Sequence, residues 1–275
     1  HATASQNVGI GTNALYTNTT GSDNVAVGHN ALDANTTGTL NTAVGKDALG
    51  ANTTASSNTA VGREAMRDNT TGTNNISMGV SALSTNTTAS SNTALGTAAL
   101  RRNTTGPSNT AVGHQAMDSN TTGFENVASG YRALYNNTSG ETNTAIGTEA
   151  LRDNQTADNN TAVGKSALMS NTTGELNTAV GRGALDASTT AEYNVAVGKD
   201  AGSTLTTGSY NAVLGTFALR DSTTAARSVA IGTSALQNNV SGGDNTAVGS
   251  NCLTSTTGNN NTAIGYASGN ANTSG

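Results

Sequence analysis

Sixteen times the chain returns to one phrase of about seventeen residues. Counting each unit from the asparagine of an Asn-Thr-Ala-Val-Gly motif, units begin at Asn7, Asn24, Asn41, Asn58, Asn75, Asn92, Asn109, Asn126, Asn143, Asn160, Asn177, Asn194, Asn211, Ser228, Asn245 and Asn261. Every step is 17 residues except the last, which is 16, and the missing residue falls between Leu253 and Gly258. A strict period of this length marks a stacked architecture, in which each unit buries its apolar side against copies of itself.

The seventeen positions behave as columns, numbered here from that asparagine. Column 5 is glycine in all sixteen units, and column 14 is Thr or Ser in all sixteen, from Thr20 to Ser274. Column 8 is alanine in fourteen units, replaced by Cys252 and Ser268; column 9 is Leu or Met in fourteen, replaced by Gly202 and Gly269. Columns 6, 7, 10, 11, 16 and 17 drift and hold nearly all the charge. Leu, Ile, Val and Phe together make only 40 of 275 residues, a composition that without order reads as disorder. A disordered linker has no reason to keep apolar letters in register, so the period argues for a fold.

The unit is poor in helix formers and rich in Gly and in Asn-Thr-Thr runs, which disfavours a helical repeat. It has too few leucines for a leucine-rich repeat and lacks the recurrent Asp of a calcium-binding roll. The pattern predicts an all-β fold, a parallel β-solenoid of about 16 coils of 17 residues, as one repetitive domain over residues 1–275 that belongs to a longer chain. Thr-Ala-Val is expected to be a short strand. The column-5 glycines Gly11, Gly28, Gly45, Gly62, Gly79, Gly96, Gly113 and Gly130 end it with positive φ. Ala-Leu is expected to open a second strand, and Asn-Thr-Thr-Gly to turn the chain back. Stacked copies of one polar side chain can form hydrogen-bonded ladders. Column-1 asparagine and the column-14 threonines Thr20, Thr37, Thr54, Thr71, Thr88, Thr105 and Thr122 are the candidates. Val44, Leu49, Val61 and Met66 are the expected core.

Two apolar doublets, such as Ala43–Val44 and Ala48–Leu49, carry a further expectation. Neighbours in a strand point to opposite faces, so one member of each doublet faces outward. The resulting apolar stripe is best covered by other chains, and three rods around an axis would close it; the alternative is that the short strands bend enough to tuck both columns inside.

No catalytic constellation is apparent, and no enzyme, cofactor or metal is expected. His29 and His114 occupy the drifting column 6. Cys252 stands in a core column and reads as a small buried residue. Acidic residues are dispersed, and the net charge of −5 has no basic stripe, which disfavours nucleic acid. No apolar run approaches the length that spans a membrane. Twelve units carry an Asn-x-Ser/Thr sequon, but Thr190, Thr207 and Thr224 persist where the asparagine is lost, so a turn and ladder role is preferred to a glycan coat. An ice-binding face needs two outward Thr columns, and columns 13 and 14 are adjacent, so only one would point out of an extended strand.

The "NTAVG", "NTAIG" (Asn143 to Gly147, Asn261 to Gly265) and "SVAIG" (Ser228 to Gly232) motifs resemble repeats of trimeric autotransporter adhesin heads. The longer unit with "ALxxNTTG" is similar to repeats of bacterial and phage tail-fibre-domain proteins. The resemblance implies a homotrimer of left-handed parallel β-rolls, extracellular on a cell surface or virion, meeting a host or cell-surface receptor. The expected function is therefore a structural fibre or adhesin shaft. A self-assembling filament subunit and an ice- or glycan-binding solenoid are the alternatives. Drifting columns with Tyr16, Phe124, Tyr131, Tyr135 and Phe217 are where ligand contacts would fall.

Overall fold

The computed structural model describes residues 4–270, and the chain divides into two compact units, His1–Ser139 and Gly140–Gly275. Ser274 and the last sequon, at Asn272, lie outside the described residues. The fold is a parallel β-solenoid with sixteen three-residue strands, one per turn of about 17 residues, and no helix among the described residues. In the first unit, β1 (Val8–Ile10) to β8 (Val127–Ser129) pair in chain order. In the second, β9 (Thr144–Ile146) to β16 (Thr262–Ile264) do the same. Pairing is strictly in register: Thr42 sits on Thr59, Ala43 on Ala60 and Val44 on Val61. Each column is thus a physical row of like residues about 4.8 Å apart.

The strand stops where glycine begins. The eight named column-5 glycines have φ between 122° (Gly11) and 141° (Gly79, Gly130), a region closed to residues with a Cβ. Space forbids a side chain as well, since a Cβ on Gly62 would lie 2.5 Å from the carbonyl oxygen of Gly79 in the next coil.

Ala-Leu does not form a second strand; each coil has one. The segment after the glycine turns instead, with left-handed residues at columns 7 and 9: φ is 56° at Asp47 and 50° at Leu49. That alternation lets two successive side chains face inward, and Ala48 and Leu49 are both fully buried. A third left-handed residue stands at column 17, where Ser57 has φ 62°. For a residue other than glycine the conformation costs roughly 1–2 kcal/mol. All three amides find partners in adjacent coils. The Asp47 N–H donates to the His29 carbonyl at 2.9 Å, Leu49 to Ala65 at 3.0 Å and Ser57 to Thr39 at 3.0 Å. The strain of one coil is offset by its neighbours.

Leu49 and Met66 lie in the core with the column-3 alanines Ala43 and Ala60, all four at 0% exposure. Val44 and Val61, expected there too, are partly exposed on the outer side of the strand. A three-residue strand has one inward position, and column 3 takes it, so columns 2 and 4 face out.

The other half of the interior is polar. In column 1, the Asn58 N–H donates to Asn41 Oδ1 at 3.0 Å, and Asn41 Nδ2 donates to the Ala55 carbonyl at 2.8 Å. In column 12, Asn52 Nδ2 donates to Asn35 Oδ1 at 2.9 Å and to the same Ala55 carbonyl at 3.0 Å. These asparagines are fully buried, and a buried amide stripped of its partners costs about 1–3 kcal/mol, which favours asparagine in consecutive coils of both columns. In the second unit the column-12 ladder is interrupted by Ser188, Leu205 and Ser222. There Asn171 Oδ1 and Ser188 Oγ are buried without a hydrogen-bond partner.

The threonine ladder belongs to column 13, not column 14. Thr36 Oγ1 donates to the Thr53 carbonyl at 3.0 Å, Thr70 to Thr87 at 2.9 Å and Thr104 to Thr121 at 3.0 Å. Thr20, Thr37, Thr54, Thr71, Thr88, Thr105 and Thr122 are exposed. Their backbone bends at the Asn-Thr-Thr corner, which aims the second hydroxyl away from the stack.

Candidate functional site

With the interior occupied, function must be sought on the outer columns. The largest continuous feature in each unit is the outer face of the strand ladder, columns 2 and 4. Across all sixteen coils these columns hold only Thr, Val, Ile, Ala, Leu, Met and Ser, with no charge, glycine or proline. Several members are well exposed, including Ile10 at 59%, Ile146 at 43% and Leu214 at 50%. Eight strands at about 4.8 Å, each three residues at about 3.3 Å, give a face of roughly 400 Å² per unit. That is within the range of the largest apolar patch on a typical monomer, a feature that is often functional.

Chain order places columns 16 and 17 along one side of this face and column 6 along the other. Column 6 contains Lys and Arg but no acid, whereas column 16 contains Asp and Glu but no base. In the second unit the two rims become opposed charges: Glu141, Asp158, Glu175 and Glu192 on one, Lys165, Arg182 and Lys199 on the other. Column 17 there adds Leu176, Tyr193 and Tyr210, all exposed, with the two tyrosine rings stacked at 4.9 Å. These rims do not stand out when the sequence is read along the chain; they appear only when charges are sorted by column.

The column-14 hydroxyls form a second row. It is Thr or Ser in every unit, and Thr20, Thr37, Thr54, Thr71, Thr88, Thr105 and Thr122 are exposed.

Aromatic side chains cluster on drifting columns. Tyr131 stacks on His114 at 5.7 Å, and the Arg132 guanidinium lies 5.2 Å from both Tyr131 and Tyr135. Phe217 is flanked by Lys199 and Arg220 at 5.1 and 5.2 Å, and Tyr16 stands alone at 77% exposure. His29 faces Asp47 at 4.0 Å on the surface. Cys252 is buried, its Sγ 3.2 Å from the Ala263 carbonyl, and burial pushes its thiol pKa up, away from nucleophile chemistry. Burial likewise raises the Asp186 carboxyl, while the guanidiniums of Arg220 and Arg227 hold Asp221 and Asp244 below the usual carboxylate range. Among the described residues no group of three or more His, Cys, Asp or Glu is placed to hold a metal ion, and no helix is long and apolar enough to cross a membrane.

Among the described residues the sequon asparagines of column 12 from Asn35 onward sit inside the solenoid. Asn35, Asn52 and Asn69, for example, have no exposed surface and spend their Nδ2 groups in the ladder. A glycan on any of them is incompatible with the stacked coil. No protein-family model, curated protein or solved structure matches this chain.

Proposed function

We propose that the chain is a segment of an extracellular structural fibre or adhesin shaft, assembled as a homotrimer, with its strand face covered by further copies of itself. The observation that carries this reading is the uncharged face of columns 2 and 4. A sheet face left in water is ordinarily polar, with charged side chains alternating outward along its strands. This one is kept clear of charge over every coil, which suits a face that is buried in use. Such a rod acts mechanically: it holds binding tips away from a surface, and the aromatic clusters on its drifting columns are where a receptor would be met. Nothing in this reading asks for catalysis.

Light scattering on the purified chain is expected to give about three chain masses. Placing charges on the face, as in Val163→Glu with Val197→Glu, is expected to disperse the assembly while leaving the far-UV spectrum unchanged, because both side chains already face outward. A wild-type chain that is monomeric at micromolar concentration overturns the reading.

A second reading is favoured by column 14. Its hydroxyl is exposed from Thr20 to Thr122, and the column-13 threonines beside it are partly exposed, so two threonine rows border water, as an ordered array that engages water or ice requires. The expected result is measurable thermal hysteresis, lost in Thr37→Val/Thr54→Val/Thr71→Val. Wild-type solutions without hysteresis remove this reading.

A further inference from the structure

We infer that neighbouring copies pack parallel with equal coils level, and that the opposed rims of coils 10 and 11 join them. Glu175 and Glu192 of one copy face Lys165 and Arg182 of the next. The inference rests on the reading that copies of this chain cover the strand face.

The argument is one of symmetry and charge. Lys165 and Glu175 belong to one coil, Arg182 and Glu192 to the next, and in each coil the base is in column 6 and the acid in column 16. The two members of a coil are therefore on opposite sides of the strand face. Among the described residues none of the four makes an ion pair within its own chain, although ion pairs such as Arg152–Asp153 and Arg227–Asp244 form elsewhere. Arg182, Lys165 and Glu192 are exposed and Glu175 half-buried.

Two copies can meet through this face in two symmetric ways. A rotation axis along the stack of coils brings the column-16 rim of one copy against the column-6 rim of the next, at the same coil. Acid then meets base at both coils. An axis along the strands makes the copies antiparallel and brings like rims together, so that no acid of column 16 meets a base of column 6. Opposite charges matched in one packing mode and not in the other discriminate between the two. The parallel arrangement also sets Tyr193 level with Arg182, and Tyr210 level with Lys199, of the adjacent copy. Both are cation–π pairings, and both residues of each pair belong to a single coil. The face from column 17 to column 6 of one unit spans on the order of 800 Å², which is what a standard interface takes from each partner. A shift by one coil would also bring acids to bases, Asp158 to Lys165, Glu175 to Arg182 and Glu192 to Lys199, so the charges favour the parallel direction, and it is closure by pure rotation about an axis along the stack that keeps equal coils level.

The test mixes isotopically labelled and unlabelled full-length chains and applies a zero-length carbodiimide, which joins an amine to a carboxylate in contact. Mixed-label Lys165–Glu175 peptides are expected. Charge reversal supplies the second arm. Glu175→Lys/Glu192→Lys is expected to raise the dissociation constant roughly tenfold, and adding Lys165→Glu/Arg182→Glu to bring it back to near wild type. A wild-type oligomer in which Lys165 links to carboxylates of distant coils, or in which the double reversal changes nothing, overturns this packing while leaving the assembly in place. A wild-type monomer overturns both.

Discussion

Replacing Gly62 by alanine is expected to cost about 3–5 kcal/mol, the sum of backbone strain and an overpacked contact. The substitution has no way out. At φ 133° alanine is forced into a region it does not populate, and relaxing φ would break the in-register hand-over to the next coil. Its methyl would also sit 2.5 Å from the Gly79 carbonyl oxygen and 2.7 Å from the carbonyl carbon, which are backbone atoms that cannot swing aside. Chemical denaturation reads the loss, and hydrogen exchange locates it. Protection is expected to fall most in the coils on either side of Gly62. A variant with wild-type stability would mean that the glycine row is a relic of duplication rather than a requirement of the turn.

The second large effect concerns coil 12, which breaks two columns at once. Column 9 has lost its leucine to Gly202, and column 12 has replaced asparagine by Leu205, which is fully buried. The two lie three residues apart in one turn, with the Leu205 N–H donating to the Gly202 carbonyl at 3.0 Å. The coil keeps one leucine and moves it. Leu205→Asn alone removes the only large apolar side chain this coil gives to the core and is expected to cost about 2–5 kcal/mol. Gly202→Leu alone crowds the site, where even a Cβ would lie 3.0 Å from Leu185 Cδ2, and is expected to cost about 1–3 kcal/mol. Its backbone is no obstacle, because φ is 59° at Gly202 and 51° at Leu185 and Leu219 of the flanking coils. The double variant restores the consensus, and is expected within about 1 kcal/mol of wild type, far from the sum of the singles. Additive costs in the denaturation cycle would show that Leu205 does not stand in for the missing leucine.

Much of this fold could be read from the chain. The period gave coil number and register, since strands repeated in every unit can only stack on their copies. Gly45 announced a turn, and Leu49 announced a core position. What misled was the assumption that adjacent apolar residues imply a strand with two faces. Ala43–Val44 obeys it and sends Val44 outward. Ala48–Leu49 does not, because left-handed conformations at Asp47 and Leu49 turn both side chains in, and nothing in the letters Asp and Leu advertises positive φ. Thr53 and Thr54 pose the same difficulty. Two identical residues flank a bend, and only coordinates tell which hydroxyl reaches the next coil. The rim charges were present in the sequence throughout, but opposed rims are a property of columns, invisible until the solenoid fixes which columns border the strand face.

The column-12 asparagines have one more consequence. In the first unit each side-chain amide donates to the one in the preceding coil, Asn35 to Asn18, Asn52 to Asn35, and on without reversal to Asn137 with Asn120. Seven links all point the same way, so the amide dipoles add and each polarises the next. The interior behaves as a small electret running along the stack, a side-chain counterpart of the helix dipole. A coil joins this column only head to tail; presented backwards, it would set carbonyl oxygen against carbonyl oxygen in a dry interior. Growth of the stack, by gene duplication or by folding, is thereby confined to one polarity from within.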